Sequence, residues 1–376
     1  MRVVVATQYW RPYRSGLTLT EAAIAEAVAA RGAHVTAVAG RHDPALPARE
    51  RIAGVDVVRV RVALRVDRAL VAPGLVPVAA RLARRADVLV LPLPLPEAAP
   101  LALLRGRARL VVHYHCDPQL ERGGPAARAA LAALDRSARV ALDRADAITV
   151  TSRDYAEASR VAARYADRAV AIPPMVGEHD RFAPAPSAAM AARMAPRPAL
   201  RIGFLGRLTH EKGVDRLIDA VAGLARPAQI VLAGDSAGAA GGGLWPQLEA
   251  RARAAGVDVR YLGPLADDEV APFLTEIDVL ALPSVNTLEA WGRVQAEAML
   301  CGTPVVASAL PGVRTIVPAT GMGRLVAPGD VGALRDALEQ VAADPARFAR
   351  PRDAVVRALG LDDALERHVA AVLGRA

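Results

Sequence analysis

Lysine is almost missing from this 376-residue chain: of 47 basic side chains, Lys212 alone is a lysine and all the others are arginine. Aromatic residues make up only 3%. The core must therefore be built from Ala, Val and Leu, and little remains for the base-stacking platforms that bind single-stranded nucleic acid. Cys116 and Cys301 lie far apart and form no Cys-x-x-Cys pair. That excludes a zinc or redox motif and suits a reducing, cytoplasmic setting. No run of about 18 apolar residues escapes Arg, Glu or Pro, which argues against a transmembrane helix. The first residues, Met1 to Ala6, read as a strand and are too short for a signal-peptide core. No Asp-x-Asp pair occurs, so a metal held by that motif is not expected.

Hydrophobic residues make up 53% of the chain, enough for two domains with separate cores. Short β-branched runs alternate with amphipathic stretches: Val3 to Ala6, a helix over about Thr18 to Ala30, then Ala33 to Val38, Val55 to Val58, Val88 to Leu91, Leu110 to His113 and Ala147 to Val150. Continuous apolar strands separated by helices predict a parallel α/β sheet. An Ala-, Pro- and Met-rich stretch interrupts the pattern, which restarts at Arg201 to Leu205 with a helix from Gly213 to Gly223. Two doubly wound, Rossmann-like units facing a ligand cleft are the expected architecture. The predicted boundaries are an N-terminal domain over 1–182, a linker over 183–199, a C-terminal domain over 200–358, and a closing helix over 359–376 that packs back on the first domain.

The net charge of +8 is unevenly spread. Residues 1–182 hold 27 Arg against 18 acids, whereas residues 183–376 hold 20 bases against 21 acids. A basic first half favours an anionic partner: a phosphorylated acceptor or an anionic membrane surface rather than nucleic acid. A solvated arginine-rich surface is the plain alternative.

Three segments carry chemistry. In Gly206-Arg207-Leu208-Thr209-His210-Glu211-Lys212-Gly213, a strand gives way to a helix whose free N–H groups favour anions, and two cations stand beside it. Neither Ser nor Thr follows Lys212, so this is not the nucleotide-hydrolysing phosphate loop. In the second segment a strand ends at Pro283, and a loop with Glu289, Trp291, Gly292 and Arg293 runs into a helix bearing Glu297. Its carboxylates suit the vicinal hydroxyls of a sugar, although such a Glu pair also fits a solvated helix face. The third, His113-Tyr114-His115-Cys116-Asp117, follows a strand of the first half. The two histidines alternate and so point the same way, and His115, further out, is the better cleft candidate.

Residues 201–330 resemble the donor domain of retaining nucleotide-sugar glycosyltransferases of family four, the group 1 glycosyl transferases. The resemblance rests on Gly206-Arg207 with Glu211-Lys212-Gly213, on Pro283-Ser284 followed by Glu289 and Glu297, and on Gly302-Thr303-Pro304. The first half is similar more loosely, through the loop ending at Gly16 and through His115. Ser15 stands at the first of the family's two loop glycines, and Trp291 at a usual Phe.

The resemblance implies a GT-B fold and a metal-independent, retaining hexosyl transfer from a nucleoside-diphosphate sugar, with no cofactor. Arg207 and Lys212 would hold the diphosphate. Glu289, Trp291, Gly292 and Arg293 would meet the sugar and its phosphate, and Glu297 the ribose. His115 would line the reacting face, and Gly16 would close over the diphosphate. Base discrimination is expected near Gly234 and Leu265. The acceptor is expected to be a glycan or glycolipid of surface-polysaccharide assembly, at the inner face of the cytoplasmic membrane. The alternatives are a soluble natural-product acceptor (an antibiotic aglycone or aminocyclitol) and a non-catalytic nucleotide-sugar-binding protein.

Overall fold

Contacts divide the protein into two compact units, Met1–Gly177 with Asp362–Ala376, and Glu178–Leu361. The computed structural model describes residues 1–66, 69–119, 124–176, 181–236 and 243–375. Among these, no helix is long and apolar enough to cross a membrane.

The first unit is built on strands β1 (Arg2–Ala6), β2 (His34–Gly40), β3 (Arg49–Ile52), β4 (Val55–Val60), β5 (Leu64–Val66), β6 (Ala69–Val71), β7 (Val88–Leu93), β8 (Arg109–Tyr114), β9 (Ala147–Val150) and β10 (Ala169–Ala171). Eight of them form one sheet in the order β10-β9-β8-β7-β1-β2-β4-β3. Its pairings are parallel except for β3 on β4, and β5 and β6 pair antiparallel in a separate two-stranded sheet. The central strands are buried because Val3, Val4, Val5, Val88, Leu89 and Val90 have apolar neighbours on both faces. The helix Gly16–Ala30 packs Ile24, Ala25 and Val28 onto this sheet.

The helix Ala364–Leu373 joins the same core through Ala364, Val369 and Val372. Arg109 donates to the carbonyl of Ala371 at 2.6 Å, and Arg367 to that of Ala171 at 2.7 Å. The chain thus returns to complete the first unit after the second has been built.

The second unit holds β11 (Leu200–Leu205), β12 (Ala228–Ala233), β13 (Asp258–Tyr261), β14 (Val279–Leu282), β15 (Val305–Ser308) and β16 (Gly323–Val326). Their order is β13-β12-β11-β14-β15-β16, all parallel. Numbered within the unit this is 3-2-1-4-5-6, the doubly wound dinucleotide-binding order, whose strand succession reverses between β11 and β14. Residues 183–199, set apart in the sequence as a linker, are packed into this unit. Ser187 caps a short helix, Ala188–Arg193, and Met190 and Met194 are buried. The physical reason is their spacing: four residues apart, the two methionines share one helical face.

Candidate functional site

Ligands of a doubly wound sheet sit beyond the carboxyl ends of its strands, where the order reverses. In the second unit that point lies after β11 and β14, where the Arg207 and Glu289 loops emerge. The two loops touch through their backbones. Val285 N–H donates to the Glu211 carbonyl at 2.9 Å, and a Cβ added to Gly213 would lie 2.1 Å from the Pro283 carbonyl oxygen. Only a glycine fits there, and its φ of +66° is left-handed as well.

This contact brings Lys212 Nζ into a short ion pair with Glu289 Oε2. Ser284 Oγ lies 3.4 Å from the same carboxylate. The Lys212 and Glu289 side chains are 18% and 14% exposed, close to solvent yet largely desolvated. Arg207 lies 3.8 Å from Glu211 and keeps a 30% exposed side chain. Arg293 pairs with Glu297 at 2.9 Å, one turn along the helix Arg293–Leu300. The helices Val214–Ala222 and Arg293–Leu300 both begin at a left-handed glycine, Gly213 and Gly292, and neither has a side-chain cap. Their first N–H groups lack a capping side chain, and a positive dipole end of this kind favours an anion. Trp291 is buried, and its carbonyl accepts from Gln295 Nε2 at 3.0 Å, which fixes the turn before the helix.

After β12 the chain passes against the same place. A Cβ on Gly234, at φ +136°, would sit 1.9 Å from the Gly206 carbonyl oxygen. Tyr261 Oη donates to the Gly234 carbonyl at 2.8 Å, and Trp245 lies against Tyr261 with ring centroids 4.8 Å apart and planes tilted by 31°. Leu265 is half-buried on the loop after β13, at the same edge of the sheet. The structure therefore gathers Gly206, Arg207, Lys212, Gly234, Glu289, Trp291, Gly292, Arg293 and Glu297 at one end of one sheet.

Gly16 and His115 belong to the first unit. Gly16 is the first residue of its helix rather than part of a free loop. Ser15 caps that helix, its hydroxyl accepting from Thr18 N–H at 3.2 Å. One of the N–H groups that a glycine pair would leave open is thereby occupied.

His115 follows β8 and meets a residue that motif reasoning missed, Glu21 of the helix Gly16–Ala30. The Glu21 carboxylate accepts from His115 Nε2 at 2.9 Å and from His113 Nδ1 at 2.8 Å. It is 1% exposed. Burial alone would raise its pKa, but the charges and hydrogen bonds of His113 and His115 hold it well below the usual carboxylate range. His368, on the returning helix, stands edge-on to His113 with ring centroids 5.7 Å apart. Burial and then the His113 charge push its imidazole down to about 3. The loop beyond His115 is anchored by Asp117, which accepts from Tyr114 Oη, Ser159 Oγ and Arg160 N–H. The signal for Glu21 was an acid on the helix face that carries Ile24, Ala25 and Val28 into the core.

Two family models account for most of the chain: "Glycosyl transferase 4-like domain" matches residues 15–175, and "Glycosyl transferases group 1" matches residues 194–356. The chain belongs to the group 1 glycosyl transferases. Among curated relatives, the 2-deoxystreptamine glucosyltransferase of Streptomyces kanamyceticus is 35% identical over 219 residues, 55% of this chain and 54% of that protein. A D-inositol 3-phosphate glycosyltransferase of Xylanimonas cellulosilytica is 35% identical over 232 residues, 58% and 54% of the two chains. The chain spans about half the length of the curated relatives it matches. Among solved structures, Anabaena HepE in complex with UDP-glucose superposes with a TM-score of 0.74 at 21% identity, over the whole of both chains. The sucrose-phosphate synthase of Thermosynechococcus elongatus gives 0.73 at 21% identity, over 100% of this chain and 97% of its own. This group 1 glycosyl transferase therefore has the GT-B fold expected from its sequence.

Proposed function

We propose that this protein transfers a hexosyl group from a nucleoside-diphosphate sugar to an acceptor hydroxyl. The observation that carries the proposal is the joining of Lys212, Glu289 and Ser284 at the switch point, between two helices with uncapped N-termini. Arg207, Lys212 and the helix N–H groups supply fixed positive charge where a departing diphosphate becomes more negative, which is electrostatic preorganisation. Glu289 orients the sugar, Glu297 binds the ribose hydroxyls, and His115 lines the sugar's reacting face. The loops carrying Gly234 and Leu265 receive the base.

In the proposed step, the acceptor oxygen bonds to the anomeric carbon on the face from which the diphosphate leaves. The bond from that carbon to the phosphate oxygen breaks, and the acceptor proton passes to the departing oxygen. The anomeric configuration is retained, and the protein's own cations do the work of a metal.

Two acceptor classes remain. A soluble cyclitol is favoured by the named activities of the similar proteins, whose acceptors are 2-deoxystreptamine and D-inositol 3-phosphate. A glycan or glycolipid at a membrane face is favoured by the arginine excess of residues 1–182. Nucleotide release from UDP-, GDP-, ADP- and dTDP-hexoses, with and without each acceptor class and with EDTA, tests the proposal. Acceptor-dependent release unaffected by EDTA, with an unchanged anomeric configuration by NMR, is the expected result. An inverted product, or no turnover with any donor, overturns it. Salt-sensitive sedimentation with anionic vesicles separates the lipid acceptor from the soluble one.

A further inference from the structure

Glu21 is a buried carboxylate with no arginine or lysine bonded to it among the described residues; His113 and His115 fill that place. Such a group is costly unless fully hydrogen-bonded. Both imidazoles are held to it by a ring nitrogen that must carry a proton, because an ionised carboxylate only accepts. For His115 the bonded nitrogen is Nε2. The proton on Nε2 is therefore committed to Glu21 in either charge state of the ring, and Nδ1 is the nitrogen left for a substrate. His113 is tied to the same carboxylate by Nδ1, and its Nε2 is buried without a partner. It braces Glu21 from the sheet and offers nothing outward. His368 reinforces this wall: its Nε2 donates to the Pro173 carbonyl at 3.2 Å, and its ring packs edge-on against His113.

We infer that Glu21 is a positioning residue for hexosyl transfer, fixing the ring orientation and the Nε2–H tautomer of His115 so that Nδ1 faces the donor sugar. The inference rests on the proposed contact of His115 with that sugar. A histidine's free nitrogen is set by the bond its other nitrogen makes, and losing the carboxylate that sets it changes activity without touching substrate. An unprotonated Nδ1 accepts a hydrogen bond from a sugar hydroxyl. With the tautomer reversed, it would confront that hydroxyl with a hydrogen and rotate the sugar away from the attacking acceptor.

The experiment compares Glu21→Gln, Glu21→Asp and His115→Ala with the unaltered full chain. Four quantities are measured: kcat, donor KM, melting temperature, and the ring-nitrogen correlation pattern of 15N-histidine-labelled protein. In Glu21→Gln the amide can donate to His115 Nε2. The expected result is a kcat loss of roughly tenfold or more with donor KM within about twofold. The His115 pattern moves from Nε2–H toward Nδ1–H, and Glu21→Asp, which keeps the acceptor, recovers part of both. An unchanged kcat or an unchanged His115 pattern in Glu21→Gln overturns the inference. So does equal loss in Gln and Asp variants accompanied by a collapse in melting temperature, the mark of a purely structural carboxylate. If His115→Ala itself keeps full kcat, the sugar contact proposed for His115 falls. The tautomer pattern still decides whether Glu21 sets the ring.

Discussion

At the scale of single residues, Lys212 and Glu289 hold each other at the place proposed for the donor diphosphate. Lysine is a point charge on a flexible stem, and it can swing from a carboxylate to a phosphate within the same small space. Arginine is a broader planar fork with fixed donor directions. Lys212→Arg is therefore expected to lower kcat by about 10- to 100-fold, or roughly 1.4–2.7 kcal/mol of transition-state stabilisation. The melting temperature should stay within a few degrees, and steady-state kinetics alongside thermal denaturation check both parts. His368 carries a second prediction. Its folded pKa of about 3 lies below the ordinary histidine value, so keeping it neutral stabilises the fold above pH 6.5 and that contribution is lost as pH falls toward 3. Between pH 7 and pH 4 the loss is about 3 kcal/mol. Urea denaturation at the two pH values measures it, and His368→Gln should flatten the difference. Lys212 was legible because it is the one lysine in a motif. Glu21 and His368 were not, since their meaning lies in contacts with His113 across 92 and 255 positions of sequence.

At the scale of elements, the central strands of both sheets were legible because continuous apolar runs bounded by glycine or proline leave few alternatives. β1, β2, β4, β7, β8, β9 and β11 fall where the apolar runs predicted them, within a residue or two. The edges were harder to read. β3 has the sequence Arg-Glu-Arg-Ile, with no buried face to give it a pattern, and exists through its antiparallel pairing with β4. The helix Ala188–Arg193 likewise owes its place to tertiary contact, through buried Met190 and the Met194 that follows it. Gly234 and Gly256 give a matched test of what the donor-site turns require. Both have positive φ, but a Cβ on Gly234 would collide with the backbone of Gly206, whereas Gly256 has open space. Gly234→Ala should destabilise by about 2–4 kcal/mol and weaken nucleotide binding. Gly256→Ala should cost only about 1 kcal/mol and leave binding intact. Chemical denaturation with nucleotide titration separates the two.

At the scale of the whole molecule, each unit has its own sheet, and the groups proposed to hold the nucleotide belong to the second. A nucleoside diphosphate that binds only the folded second unit should protect it selectively. At about 100 times its dissociation constant it adds roughly 2.7 kcal/mol, a shift of about 5–10 °C for a unit of this size. Differential scanning fluorimetry with UDP, GDP, ADP and dTDP should single out one base, and Lys212→Ala should abolish the shift. The two-unit design was legible because the α/β pattern restarts. The packing of residues 183–199 was not, since Ala- and Pro-rich composition resembles a linker until its two methionines find a core. The returning helix Ala364–Leu373 has a consequence for the order of events during synthesis. Its Val369 and Val372 fill a core whose other walls leave the ribosome hundreds of residues earlier. The first unit to be translated is the last to be finished, and it must wait with an uncovered apolar face while the entire second unit is made.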